Sequence, residues 1–311
     1  MSALICGSMA YDTIMVFHDK FKHHILPEKV HILNVSFLVP VLRREYGGCA
    51  GNIAYNLNLL GEEPLIMAVV GHDFEPYSQW LSQNSLSSEF IHILDNQYTG
   101  QAYITTDQDG NQITAFHPGA MSFSEVNAIP TDRGDITIGI VSPDGKDGMI
   151  QHAGQFAELG IPFIFDPGQG MPMFSGAELL TFIDQATWVT LNDYESELMQ
   201  ERTGLSLEQI AERVGALIIT LGAQGSKIYT QGRCISIPAA LPKTVNDPTG
   251  CGDAYRAGLL YGLMNEFDWE TTGRIASLMG AIKIEHHGTQ NHSFDIPTFR
   301  QRYHENFGSS F

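Results

Sequence analysis

The segment Asp247-Pro248-Thr249-Gly250-Cys251-Gly252-Asp253 joins small side chains, a helix start and two carboxylates. It precedes an almost unbroken apolar run, Ala254 to Met264. Small residues let a ligand come close to the main chain. The first N–H groups of a helix have no intrahelical partner and carry partial positive charge. The combination suits an anion such as a phosphate. A carboxylate is a poor neighbour for phosphate unless it takes a proton from an attacking hydroxyl. Asp253 therefore reads as a general base beside a phosphoryl group in transit.

Four further clusters carry polar chemistry. Gly47-Gly48-Cys49-Ala50-Gly51-Asn52 puts a glycine turn before a helix, and Asn52 offers both a donor and an acceptor to a polyol. Asp12 follows the first strand and could accept two hydrogen bonds from a vicinal diol. Asn192 and Glu195 share one face of a helical turn. They could hold water around Mg2+, or could simply form a helix cap. Thr220-Leu221-Gly222-Ala223-Gln224-Gly225-Ser226 ends a strand in a glycine turn able to pass a nucleotide. No G-x-x-x-x-G-K-[ST] segment is present, so the chain is not a P-loop protein.

These clusters need a scaffold, and the pattern of apolar runs predicts one. Ala3–Gly7, Leu65–Val70, Ile136–Val141, Pro162–Asp166, Trp188–Leu191 and Leu217–Leu221 are short and apolar, as buried parallel strands are. Helical periodicity is expected over Gly51–Leu60, Leu207–Val214, Ala254–Met264 and Trp269–His286. A hairpin is expected at Lys227–Thr230 and Cys234–Pro238. Alternating βα units imply a doubly wound, mostly parallel α/β sheet flanked by helices, with ligands at the strands' carboxyl ends. Two stretches break that rhythm. One holds an alternating run from His31 to Phe37, and the other pairs Gly100–Thr106 with Gln112–His117 across Asp109-Gly110. They predict a small β-sheet lid on a single domain over 1–311, built from insertions at roughly 14–46 and 97–119.

Composition narrows the partners. Seventeen basic residues face 35 acidic ones, a net charge of −18, so a basic face for nucleic acid or an anionic membrane is not expected. Four scattered cysteines without a C-x-x-C pair and the lack of a secretory pattern suggest a cytoplasmic protein. None of the twelve histidines has the spacing of a helical zinc pair in the two His-His doublets.

Taken in order, the motifs resemble the PfkB (ribokinase-like) kinase family. Its early Gly-Gly…Asn signature appears at Gly47–Asn52. Its late Asp-x-x-Gly-x-Gly-Asp signature appears at Asp247–Asp253, with the Asn-x-x-Glu motif at Asn192–Glu195 between them. The resemblance implies a ribokinase-like fold with ATP and Mg2+. Asp253 would be the base, and the amides of Gly250, Cys251 and Gly252 the anion hole. Asp12, Gly48 and Asn52 would hold sugar hydroxyls. Asn192 and Glu195 would organise Mg2+ through water, and Thr220, Gly222 and Gly225 would border ATP. Asp247 and the Thr249 carbonyl resemble a site for a monovalent cation such as K+. Cys251, in place of the commoner Ala, suggests sensitivity to thiol reagents.

Gly51-Asn52-Ile53-Ala54 and Phe116-His117-Pro118-Gly119-Ala120-Met121 look most like prokaryotic adenosine or nucleoside kinases. Phe37 and Phe116 would then pack against a base, or form lid core. Gln290-Asn291 would lie near a purine. The implied activity is transfer of the γ-phosphoryl group of ATP to a nucleoside 5′-hydroxyl, adenosine first. A sugar kinase of the same family and a non-catalytic ligand-binding protein are the alternatives. Pairing of two copies through the lid is also implied.

Overall fold

The computed structural model describes residues 1–311 except Leu26 and Leu33; for Glu28, Lys29 and Val30 it describes the backbone alone. In chain order the strands are β1 Ser2–Cys6, β2 Ala10–Val16, β3 Val41–Gly47, β4 Pro64–Gly71, β5 Ser87–Leu94, β6 Gly100–Thr106 and β7 Gln112–His117. They continue as β8 Ile136–Val141, β9 Phe163–Phe165, β10 Trp188–Asn192, β11 Ala216–Thr220, β12 Ser226–Thr230 and β13 Arg233–Ile237. The helices are α1 Cys49–Leu59, α2 Glu75–Gln83, α3 Lys146–Leu159, α4 Gly176–Gln185, α5 Asp193–Thr203, α6 Leu207–Ala211, α7 Cys251–Met264, α8 Trp269–Ile284 and α9 Ile296–Phe307.

Among the described residues these strands form two sheets. The larger has nine strands in the order β13-β12-β11-β10-β9-β8-β1-β4-β5. Pairing is parallel from β11 through β5, while β12 and β13 add an antiparallel edge. Strand alternation sends side chains to both faces. In β1, Ala3 and Ile5 enter one core with α1, α7 and α8, and Leu4 and Cys6 enter a second with α3 and α4. Burial on both faces explains why these strands read as continuous apolar runs. The result is an α/β fold with a mixed sheet flanked by helices and a smaller separate sheet.

The smaller sheet has the order β3-β2-β6-β7. Its first segment differs from the sequence expectation. No strand forms over His31–Phe37, where Leu33 lies outside the described residues. Residues 27–32 make a 3-10 turn and 34–40 are irregular. The strands are instead Ala10–Val16 and Val41–Gly47. Both edges of β2 are taken, by β3 on one side and β6 on the other, which leaves the outer edges of β3 and β7 as the open ones in this sheet. The helix expected over Leu207–Val214 ends at Ala211.

Helices α7 and α8 cross closely because small residues line the contact. A Cβ on Gly258 would lie 2.4 Å from the Ala276 Cα, and one on Gly262 would lie 2.5 Å from the Thr272 side chain. That crossing fixes where the first turn of α7 emerges.

Candidate active site

The loop before α7 is pinned from several sides. The N–H groups of Asn246 and Asp247 both donate to the Ile284 carbonyl, at 2.9 and 3.1 Å. The Asp247 carboxylate accepts from the amides of Thr249 and Gly288, both at 2.9 Å. Gly250 then caps the helix in the left-handed region, at φ 77°, a conformation that glycine adopts without steric cost. The N–H groups of Gly250, Gly252 and Asp253 have no acceptor among the described residues, whereas that of Cys251 donates to the Pro248 carbonyl at 3.2 Å. A helix start with such bare amides attracts anions. The sequence reading put Gly250, Cys251 and Gly252 in this role; of these, Gly250 and Gly252 have bare amides, as does Asp253. Burial pushes the Cys251 thiol up to about 11. That shift lowers the thiolate fraction on which the expected sensitivity to thiol reagents depends.

Asp253 lies in the first turn of α7, half-buried. Burial raises its carboxyl to about 6, against an opposing hydrogen bond from Asn52. That bond, Nδ2 to Oδ2 at 2.8 Å, joins the two glycine-rich motifs across 201 residues. The other end of the Asn52 amide is also engaged. Its Oδ1 accepts from Gln290 Nε2 at 3.0 Å. Gln290 in turn donates to the Tyr77 hydroxyl at 2.6 Å and accepts from Trp80 Nε1 at 2.8 Å. The relay fixes which way Asn52 points. Asn52 thus orients Asp253, and Gln290, which the sequence placed near a purine, orients Asn52. Asn291 instead donates to Glu45 at 2.8 Å.

Asp12 lies on β2 beside the same loop. Burial first, then Glu45 and Asp247, push its carboxyl up to about 6. A Cβ on Gly47 would meet the Asp12 carboxylate at 2.5 Å, so glycine there leaves the carboxylate room. Gly48, at φ 87°, has a different reason to be glycine: its Cβ would sit 2.5 Å from the Met9 Cα. Register aligns Glu45, Asp12, Ala102 and Phe116 across β3, β2, β6 and β7. Directly paired residues share a sheet face. Phe116, 54% exposed, therefore stands on the Asp12 face, two strand spacings or about 10 Å away, with only Ala102 between. Phe37 is not in that row. Its ring packs on Phe17 and Phe21, centroids 4.9 and 5.1 Å apart, in an aromatic cluster just beyond the end of β2.

The residues that the sequence reading set beside ATP and Mg2+ collect at the carboxyl ends of β10 and β11. Asn192 and Thr220 are register partners. Asn192 and Glu195 form a full capping box: Glu195 accepts from Asn192 N and Nδ2 at 2.8 Å each, and Asn192 Oδ1 accepts from Glu195 N at 2.7 Å. Burial, then Asp166, raise the Glu195 carboxyl. Gly222 has a positive φ and nothing within 4 Å of a notional Cβ, whereas one on Gly225 would clash with the Ile237 carbonyl at 2.0 Å. The first leaves room beside the turn; the second is needed for packing.

Sequence reasoning missed a buried ion pair behind this row. Arg256, one turn after Asp253, donates to Asp166 from Nε at 3.0 Å and Nη2 at 2.9 Å. Burial alone would lower the guanidinium's pKa, but Asp166 holds it above its ordinary value, with Glu195 and Asp253 contributing. Arg256 Nη1 lies 3.5 Å from where a Gly252 Cβ would be, which brings its charge near the bare amides. Lys283 was also missed. It is 0% exposed, and its Nζ donates to the carbonyls of Asp247 at 2.8 Å and His286 at 3.2 Å. Its only sequence signal was a lone lysine in the apolar last two turns of α8, Leu278 to Ile284.

The profile of the pfkB family of carbohydrate kinases matches residues 9–296. A nucleoside kinase of Methanocaldococcus jannaschii is 32% identical over 287 residues, 91% of this chain and 93% of that protein. The nucleoside kinase of Burkholderia thailandensis, solved in complex with inosine, is 50% identical with a TM-score of 0.90, covering 99% of both chains. The same enzyme with ADP and inosine is 52% identical with a TM-score of 0.88, covering 99% of this chain and 97% of that one.

Proposed function

Because this chain belongs to the pfkB family of carbohydrate kinases, and is therefore a phosphotransferase with an alcohol acceptor, we propose that it transfers the γ-phosphoryl group of ATP to the 5′-hydroxyl of a purine nucleoside, adenosine or inosine. The observation that carries this reading is the 2.8 Å bond from Asn52 to Asp253 beside the unpaired amides of Gly250, Gly252 and Asp253. It joins a polyol-binding motif, a carboxylate base and an anion cradle in one place.

In this reading Asp253 takes the proton of the 5′-hydroxyl as that oxygen attacks phosphorus. The amides at the start of α7 and the Arg256 guanidinium stabilise the charge gathering on the transferred group. Asp12 accepts the ribose diol, and the exposed Phe116 ring on the same sheet face receives the base. Phe37 supports the smaller sheet from its aromatic cluster. Thr220 and Gly222 border the nucleotide.

No cluster of three or more His, Cys, Asp or Glu side chains among the described residues could hold a metal. That fits Mg2+ carried mainly by ATP's phosphates and water. Glu195, with a buried carboxylate beside Asp166, is the residue that would reach it through water. The ion would supply neutralising charge at the phosphates. The relatives' reported complexes support the acceptor class, since inosine is bound to the Burkholderia thailandensis protein.

A panel of adenosine, inosine, cytidine, ribose and fructose 6-phosphate with ATP, with products separated by chromatography, tests the reading. Nucleoside 5′-monophosphate from adenosine and inosine is the expected product. Preference for a free sugar would move the assignment to a sugar kinase. Thermal stabilisation by nucleosides without any turnover would leave a binding protein on the same fold.

A further inference from the structure

The alkali-ion site that the family resemblance implies does not fit the groups around Asp247. Both Asp247 carboxylate oxygens already accept backbone amides, from Thr249 and Gly288. Its carbonyl accepts the Lys283 ammonium, which reaches the His286 carbonyl as well. An alkali ion needs several oxygens that converge on it and are free of protons. A second monovalent cation here would also lie beside a buried like charge, where repulsion is poorly screened.

The ammonium nevertheless supplies what such an ion would supply. It places one positive charge, tethered by α8, between the carbonyls of Asp247 and His286 and close to the Asp247 carboxylate. Those groups anchor the loop whose next residues carry the bare amides. Asp253 also lies within the electrostatic reach of Lys283.

We infer that the Lys283 ammonium is a built-in substitute for the alkali cation, so that phosphoryl transfer by this protein needs neither K+ nor Na+. Lys283 is a positioning residue: it acts through the loop 246–250 and touches no reacting atom. The inference rests on the kinase reading but not on the acceptor's identity. Its test therefore uses whichever acceptor the panel identifies, nucleoside or sugar.

Initial rates are measured by direct product separation in a choline-based buffer free of alkali ions, then with added Na+, K+ or NH4+. The coupling enzymes of ADP-release assays are avoided because they have cation needs of their own. The wild-type rate should change by less than about twofold on adding K+. Lys283→Met, which keeps the chain's bulk and removes its charge, should lose turnover by roughly tenfold to a hundredfold without alkali ions, with the acceptor KM changed much less. Added K+ or NH4+ should restore part of that loss. A wild-type rate that rises fivefold or more with K+, on the order expected for a required ion, overturns the inference whatever the variant does. Full alkali-free turnover by folded Lys283→Met overturns it too, since the lysine then only fills space. A loss that no cation restores shows that ammonium and alkali ion are not equivalent here, and also overturns it. If Lys283→Met does not fold, Lys283→Gln takes its place, because its amide can still donate to a carbonyl without charge.

Discussion

Replacing Asp253 with asparagine should slow the enzyme and stabilise the fold, and the two effects share one physical cause. Burial holds the Asp253 carboxyl at about 6 against a starting value of 3.8, net of the Asn52 bond and the attraction of Arg256. A carboxyl raised in the folded state contributes no penalty while it is protonated in both states. The penalty grows as pH rises past 3.8 and is complete above about 6. Asp253→Asn removes it, so the variant should gain about 1 kcal/mol over wild type at pH 4.5 and about 3 kcal/mol at pH 7.5. With an unfolding entropy typical for a chain of this length, the gains in Tm are roughly 1.5 and 4.5 °C. Asparagine keeps an oxygen that can accept from Asn52, so the local geometry should survive. Turnover should fall by about a hundredfold or more, because the neutral amide cannot take the hydroxyl proton. Thermal melts across pH 4.5–8 and steady-state rates on the same samples read both effects. A gain in Tm that does not grow with pH would refute the assigned cause of the shift. Turnover within tenfold of wild type would refute the role as base, since general-base losses are on the order of a hundredfold or more.

The remaining predictions concern the groups that hold Asp253 in place. Gln290→Met leaves Trp80 Nε1 and Asn52 Oδ1 without their present partner and should cost about 1–3 kcal/mol in denaturant melts. Freed from Gln290, Asn52 no longer reliably donates to Asp253, so the acid limb of kcat/KM should move to higher pH. A superimposable pH profile would remove Gln290 from the orienting role. Arg256→Met leaves Asp166 as an unpaired buried charge and should cost about 3–5 kcal/mol. It should also lower kcat with the nucleoside KM changed much less; an unchanged kcat with a raised KM would place Arg256 outside the transition state.

The large sheet was legible because its strands are buried on both faces, and continuous apolar runs announce that. The two glycine motifs were legible because each is compact in sequence. What connects them was not. Asn52 meets Asp253 across 201 residues and Gln290 across 238, and Arg256 meets Asp166 across 90. No local pattern encodes such pairings. Strand β2 was hidden for a different reason: Asp12 interrupts the face of Ala10, Ile14 and Val16, and Thr13 the opposite face of Tyr11 and Met15, so it resembled a loop. The run from His31 to Phe37 alternates as a strand does, yet its described residues join neither open edge of the smaller sheet, β3 or β7. Alternation specifies two faces but not a partner.

The charge arrangement also explains how a chain of net charge −18 can serve a polyanionic donor. A long-range positive field is unavailable to it, so attraction must be local. Three carboxylates near α7 are matched or restrained: Asp166 by the bidentate Arg256, Asp247 by two amides and the nearby Lys283 charge, Asp253 by Asn52. Asp247 illustrates the balance. Burial would raise its carboxyl, but the amides and the lysine charge hold it below its ordinary range, so it stays ionised. Asp253 has the weaker compensation and the higher value, about 6. The difference in environment therefore divides the two ends of one seven-residue motif into a fixed anion that shapes the loop and a carboxyl with the raised value that the proposed proton transfer needs.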